Sequence, residues 1–361
     1  MKKRIGILII CVCGLLAVTK AQDPVYTQAY LAPVNLNPAS TGTGENDLRV
    51  SGIFRREWWK VQSSFNYQAF SIDKFFPRIS SGIGFLATRS SEGYLNKNGV
   101  YGSYSYTVCS GVPDVASNGG VPKWYWTGAM QFGVGWSRVD YSKLTFADEI
   151  NIGGVIPGSI SDADQPINNG RLFPDFAAGT SFNMNLASIN SRLVIGASAH
   201  HINRPDESLI STADTFRSQI PIRWSGNFMF IASSDESQTW TTSIEGFFYK
   251  QADNVTLQLG LDITYKYNVS LGLWVRGNGK FSQDITTFGA TLSFNLLGIR
   301  DKDRLRVGVG HDSQMGGNTY SYFAGSSEAG FLWDHSTYKS PSDDPCKPRV
   351  TSPWFCPEVR R

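Results

Sequence analysis

The sequence predicts an all-β fold: a transmembrane, outer-membrane antiparallel β-barrel of 14 strands. Three observations predict it. In the stretch Thr256 to Arg276, Leu257, Leu259, Leu261, Ile263 and Tyr265 share one side of an extended chain. Gln258, Gly260, Asp262 and Thr264 share the other, and this two-residue period recurs in segment after segment. Beyond the first 21 residues there is no apolar run of the length, about 18 residues, that a spanning helix needs. Mean hydropathy is −0.21, which disfavours a helical membrane protein but leaves a strand-built one open. Finally, the connections between alternating segments fall into a short class and a long class, the habit of outer-membrane barrels.

Taken in order, residues 1–21 read as a secretory signal peptide. Lys2, Lys3 and Arg4 precede the apolar run Ile5 to Val18, and Thr19 and Ala21 fit a small-residue cleavage site. Cys11 follows Ile10 and Cys13 follows Val12, which is not the small-residue context of an acylated cysteine. Cleavage after Ala21 takes Lys2, Lys3, Arg4 and Lys20 with it and leaves 29 basic against 30 acidic residues, from 33 against 30. With no basic excess, nucleic acid is not an expected partner.

Residues 22–47 are too rich in Pro and Asn to form a strand. Pro24, Pro33 and Pro38 break any sheet ladder, while Tyr26, Tyr30, Leu31 and Leu36 need burial. The expectation is a plug or mouth segment, folded into the lumen or against the periplasmic mouth, with both chain termini on the periplasmic side.

Residues 48–333 carry the barrel. The expected strands are 48–58, 63–74, 80–89, 98–109, 124–140, 171–184, 192–201, 220–232, 238–250, 255–266, 268–277, 285–296, 303–312 and 319–333. Connections 75–79, 185–191, 233–237 and 297–302 are short, whereas 141–170 and 202–219, on the other side, are long. Two break the pattern: 110–123 is long on the short side, and 251–254 is short on the long side. A secreted β-sandwich shares the alternation. In this chain, however, the second face is small and polar in nearly every strand, as in Thr287, Gly289, Thr291, Ser293 and Asn295 opposite Phe288, Ala290, Leu292, Phe294 and Leu296. That suits a crowded lumen, where Glu245, Asp262, Lys266, Arg276 and Arg306 would oppose one another. Trp58, Trp59, Trp124, Trp126, Trp136 and Trp333 near strand ends would form interface girdles. Trp274, large and on the polar side, is the exception.

Residues 334–361 form a Pro-rich periplasmic tail. Prolines 341, 345, 348, 353 and 357 remove ladder donors. In an oxidising compartment Cys346 and Cys356 can pair, closing a small loop beside Trp354 and Phe355. The spacing of Cys109, Cys346 and Cys356 offers no zinc site.

No catalytic, cofactor or metal site is expected, and the reading is non-enzymatic. His200 and His201, adjacent on a strand, should point to opposite faces, and so should the members of His311-Asp312-Ser313. The Gly pairs at 133/135 and 308/310 lie within strands with no helix following, so they fail the context of a phosphate loop and read as lumen packing.

The stretch that follows the expected cleavage site carries a resemblance. Gln22-Asp23-Pro24, Tyr26-Thr27-Gln28, Leu36-Asn37-Pro38-Ala39 and Gly42, followed by Arg49, Arg55 and Trp58, resemble the N-terminal pattern of the PorP/SprF family, outer-membrane proteins of the Bacteroidetes type IX secretion system. Pro174-Asp175, Gly179, Gly196-Ala197-Ser198, His200-His201, Pro205 and Trp274-Val275-Arg276 look like further family positions. The chain departs from the family at Ser326-Ser327-Glu328, at Gly310-His311-Asp312 and in its extended tail. The resemblance implies an accessory barrel without enzymatic activity. It would help a type IX cargo, such as a gliding adhesin, to reach or stay on the cell surface by engaging the cargo's C-terminal domain, with other translocon components as further partners. The alternative is a substrate-conducting porin or FadL-like transporter with residues 22–44 as its hatch.

Overall fold

In a computed structural model of the chain, the described residues are 23–43, 48–61, 64–76, 79–110, 123–140, 144–151, 154–156, 172–186, 190–208, 218–234, 239–266, 268–278, 285–297, 303–315 and 324–335. The expected signal peptide, Gln22, Cys346 and Cys356 lie outside them.

Strands form where the alternation is. They are β1 (Leu48–Glu57), β2 (Phe65–Phe76), β3 (Ser81–Glu92), β4 (Leu95–Cys109), β5 (Trp124–Val139), a short hairpin β6 (Ile150–Asn151) and β7 (Gly154–Val155), β8 (Leu172–Leu186), β9 (Ser191–His200), β10 (Arg223–Ser233), β11 (Trp240–Gln251), β12 (Asn254–Tyr265), β13 (Val269–Asn278), β14 (Ile285–Leu297), β15 (Asp303–Gln314) and β16 (Ser326–His335). Fourteen of them, all but β6 and β7, pair antiparallel in sequence order, and β1 pairs with both β2 and β16 to close a barrel. Closure leaves no free sheet edge.

The two faces of β12 and β13 separate the barrel from the sandwich. Leu271 and Leu273 are 57% and 47% exposed, whereas Gln258 and Asp262 are 0% and 2% exposed. Apolar side chains outside and polar ones inside invert the order of a water-soluble domain; an apolar medium around the wall makes it stable. Trp274 is the inward exception. It is buried, stacks on Phe247 with ring centroids 6.0 Å apart, and donates from Nε1 to Thr291 Oγ1 at 3.2 Å.

Cα register places the beginning of β1 and the end of β16 at one end of the barrel, here the turn end. Glu57, His200, Arg223 and Gln251 reach the opposite, loop end, where the long connections 140–171 and 201–222 emerge. By the usual asymmetry, short turns face the periplasm and long loops the exterior.

Several expectations about the wall and the segment before it need correction. β16 begins at Ser326 rather than near residue 319, because Ala324 and Gly325 both take positive φ, 56° and 65°, just before it. It ends at His335, two residues into the expected tail. Lys266 is not a lumen charge. The strand stops at Tyr265, and Lys266 turns with φ 43°, exposed, its ammonium 5.3 Å from the Tyr265 ring centroid. The N-terminal segment takes the lumen, one of its two expected places, but it starts from the opposite end, and its path defines the functional site.

Candidate functional site

The segment Asp23–Thr43 threads the lumen from mouth to mouth. It lacks the period of a strand and coils through three short helical pieces, Ala29–Leu31, Pro33–Leu36 and Pro38–Ser40. Pro33 and Pro38 sit at the first helical position, where a missing N–H costs nothing. Asn37 caps the last piece, its Oδ1 accepting from Ala39 N–H at 2.9 Å. Tyr30, Leu31 and Val34 are fully buried, packed with the inward side chains Ile53, Leu86, Phe247, Trp274 and Leu332. Burial of an apolar side chain of this size stabilises by about 1.5–3 kcal/mol. These inward apolar residues interrupt an otherwise polar face because they meet the plug rather than water.

Both chain ends were expected on the periplasmic side. The end of β16 lies at the turn end, but Asp23 lies at the loop end, because the plug descends the whole lumen before β1 starts. Three clusters of buried charge hold it. At the loop end, Asp23 N–H donates to Gln251 Oε1 at 2.8 Å, and its carboxylate meets His201 Nε2 at 2.9 Å and Arg223 Nη1 at 3.2 Å. His201 Nδ1 lies 2.8 Å from Asp175 Oδ2. Burial alone would lower the His201 pKa, but the two carboxylates overcome it and push the imidazole up to about 10. For Asp23 burial acts upward, and His201 and Arg223 still hold it well below the usual carboxylate range.

Just inside the loop end, two residues before the end of β1, Arg55 is the hub. Its Nη1 donates to Asp312 Oδ2 at 2.7 Å and to Glu328 Oε1 at 2.5 Å, with both acids buried. The same Glu328 carboxylate accepts the backbone N–H groups of Thr27 and Gln28 at 2.7 and 2.8 Å. Arg276 Nη2 donates to Thr27 Oγ1 at 2.7 Å. Near the middle, the Arg306 guanidinium stacks 4.2 Å from the Tyr30 ring centroid. Asn37 Nδ2 donates to Thr180 O at 3.0 Å, on the opposite wall. At the turn end, Asp73 accepts from Gly42 N–H at 2.7 Å and from Arg49 Nε at 3.0 Å, and Arg49 Nη2 donates to Ser40 O at 2.6 Å.

Glycines make room for this path. A Cβ at Gly308 would collide with Gln28 and come within 3.0 Å of Leu31, and one at Gly179 would collide with Asn37. Gly308 was expected to serve lumen packing, and what it packs against is the plug.

The motif residues mostly converge here. Asp23, Gln28, Asn37, Gly42 and Arg55 contact across the lumen as described; Leu36 O accepts from Ser198 Oγ at 3.1 Å; Pro38 and Ala39 are buried; Pro24 borders the small cavity left at the loop end. Trp58 is apart from the lumen. It takes φ 58° at the loop end, its N–H donates to Gly325 O at 2.9 Å, and its ring lies 4.8 Å from that of Phe65. Asp73, Asp312 and Glu328 were not singled out from sequence as plug contacts; their only signal was a charge at an inward position of an alternating strand.

The expectation for the His pair fails. β9 ends at His200, and His201 takes φ 57°, which turns its ring back over the lumen, so both line the same loop-end cavity of about 110 Å³. His311 and Asp312 do diverge: His311 faces out beside Ser327 at 2.9 Å, and Asp312 faces in to Arg55. Among the described residues, no three His, Cys, Asp or Glu side chains are grouped to hold a metal ion. Cys109 is disulfide-bonded.

The arrangement binds a peptide, its own, along the full lumen. The model of the type IX secretion system membrane protein PorP/SprF family matches residues 18–331. No curated protein matches the chain. Among solved structures, the Acinetobacter baumannii outer membrane protein Omp33 is 11% identical, covers 81% of this chain and 98% of its own, and has a TM-score of 0.36. The Pseudomonas putida toluene transporter TodX is 8% identical, covering 84% and 93%, with a TM-score of 0.43.

Proposed function

Because this chain belongs to the type IX secretion system membrane protein PorP/SprF family, we propose that it is a non-enzymatic barrel that helps a secreted cargo reach or stay on the cell surface by engaging the cargo's C-terminal domain. It is an outer-membrane barrel of that secretion system. The observation that carries the finer reading is the plug. A lumen occupied from Asp23 to Thr43 and clamped by buried ions at both ends leaves the loop end and the wall as the surfaces open to another protein. The connections 141–170 and 202–219, with the small β6–β7 hairpin in the first, are the contact surface in this reading.

The test is deletion of the gene, followed by surface proteomics and by capture of the tagged barrel from outer membranes. The expected result is that general type IX secretion continues, while one large surface protein leaves the cell and is the protein captured. Collapse of all type IX secretion, or an unchanged surface, would overturn the proposal. Steady ion conductance of the purified barrel in a planar bilayer would favour the transporter reading instead.

A further inference from the structure

We propose that the outer wall of β3–β5 at the loop end is a binding site for a phosphorylated lipid headgroup of the outer leaflet. This inference rests on the outer-membrane placement of the barrel and not on its cargo.

Two rows of side chains cross these strands on the outward face. Arg89 pairs with Asn98, which pairs with Trp136; one step nearer the loops, Ser91 pairs with Asn96, which pairs with Arg138. The alternate positions Ser90 and Ser137 are buried toward the lumen, which fixes the two arginines outward, and both are exposed. The six side chains border one groove, with Tyr94 and Asp140 at its rim, so the groove keeps a net positive charge.

Among the described residues neither Arg89 nor Arg138 has an ion-pair or hydrogen-bond partner for its side chain. Of the other basic groups at this end, Arg56 stacks on Trp59 at 4.4 Å, Lys97 pairs with Glu207 at 3.1 Å, and Arg55, Arg223 and Arg276 hold the plug, while Arg204 stands exposed in the loop after β9, outside this groove. Lys250 stands exposed and by itself on β11.

What lies beside the pair identifies the ligand. In the same three strands, toward the turn end, Ile83, Phe85, Tyr104, Met130 and Phe132 are exposed and form lipid-facing wall. Phe85 and Arg89 are four residues apart, about 13 Å along a strand, so the guanidinium groups stand just above the apolar band, at headgroup depth. Trp136 and Tyr94 are the amphipathic rings that favour that depth. A guanidinium fork matches phosphate oxygens in pairs, and an acyl-chain anchor on the band below adds to the contact. The arginines are two strands apart, on the order of 10 Å at the backbone, enough for one extended headgroup to meet both.

The probe is diphosphorylated lipid A. The full chain is reconstituted in phosphatidylcholine vesicles with and without it; thermal unfolding is followed, and lipid retained through detergent extraction is counted by native mass spectrometry. The wild type should unfold several degrees higher with the probe and retain it. Because both side chains are exposed, the R89Q/R138Q variant should unfold as the wild type does in phosphatidylcholine alone. It should lose the shift and retain at least tenfold less probe. The proposal is overturned if the variant keeps the shift or the retention, if lipid A stripped of phosphate or inorganic phosphate alone shifts the wild type equally, or if the wild type neither shifts nor retains the probe.

Discussion

Replacing Arg55 with Ala should release the loop-end half of the plug. In the native barrel one guanidinium stands between Asp312 and Glu328, and Glu328 in turn holds the Thr27 and Gln28 amides. Without the cation, Asp312 keeps only the longer ion-pair contact to Arg276 at 3.6 Å, the buried Glu328 loses its cation, and the amides lose an oriented acceptor. Removing one partner of such a buried cluster costs about 3–5 kcal/mol. At 1.4 kcal/mol per factor of ten, that is an open population larger by roughly a hundredfold to a few thousandfold. The reporter is Ala29→Cys, a buried plug position next to the hub, labelled with a maleimide in a background where the native cysteines are replaced. Labelling is slow when the plug is seated and should accelerate by that factor in Arg55→Ala. A triple change, Arg55→Met with Asp312→Asn and Glu328→Gln, removes all three charges and should recover much of the protection. The turn-end clamp of Arg49 and Asp73 is untouched, so residues near Gly42 should stay protected. Labelling of position 29 within threefold of the parent in Arg55→Ala would refute the claim that this cluster seats the plug.

Other expectations follow from the same geometry. The imidazole of His201, raised to about 10 in the fold from the ordinary 6.5, stabilises the seated N-terminus fully below about pH 6.5. That contribution is lost as pH rises through 10, so protease access to residues near Asp23 should grow over that window and stop depending on it in His201→Gln. Asn37→Ala removes the bond to Thr180 O and the cap on Ala39, a cost of about 1–3 kcal/mol that should appear as a lower midpoint of heat-induced unfolding on gels. Deleting residues 23–43 should convert a non-conducting barrel into one with measurable bilayer conductance; silence from a correctly folded deletion would mean that other parts close the lumen. Cys109 is disulfide-bonded, and of Cys109, Cys346 and Cys356 only two can pair within one chain after loss of residues 1–21; non-reducing peptide mapping should recover Cys109 linked to one of the other two, whereas a Cys346–Cys356 peptide with Cys109 open to a maleimide would establish the tail loop instead.

The alternating strands were legible because a two-residue period is a local property: each side chain's face follows from its neighbours in the chain. The polarity of the second face was enough to prefer a lumen to a sandwich core, and the prolines of residues 22–47 were enough to exclude a strand there. The N-terminal pattern was likewise readable as a resemblance, and the match over residues 18–331 bears it out. What could not be read was which of its two expected places the plug takes, from which end it enters and what holds it there. Gln28 and Glu328 are 300 positions apart and Asp23 and His201 178 apart, and no local period relates them. Only closure of the cylinder brings β1, β15 and β16 together, so that Arg55, Asp312 and Glu328 form one cluster. The same closure explains the inward Trp274 and Leu332, which break the polar pattern because the segment they touch enters from the far end of the sequence. His201 failed the strand rule for a smaller reason: one residue with positive φ reverses a side chain's face, and the strand had ended one residue earlier. The sequence by itself determined the wall and its two faces. Tertiary closure determined what fills the lumen, because charges spread over the whole chain acquire their partners only when the first and last strands meet.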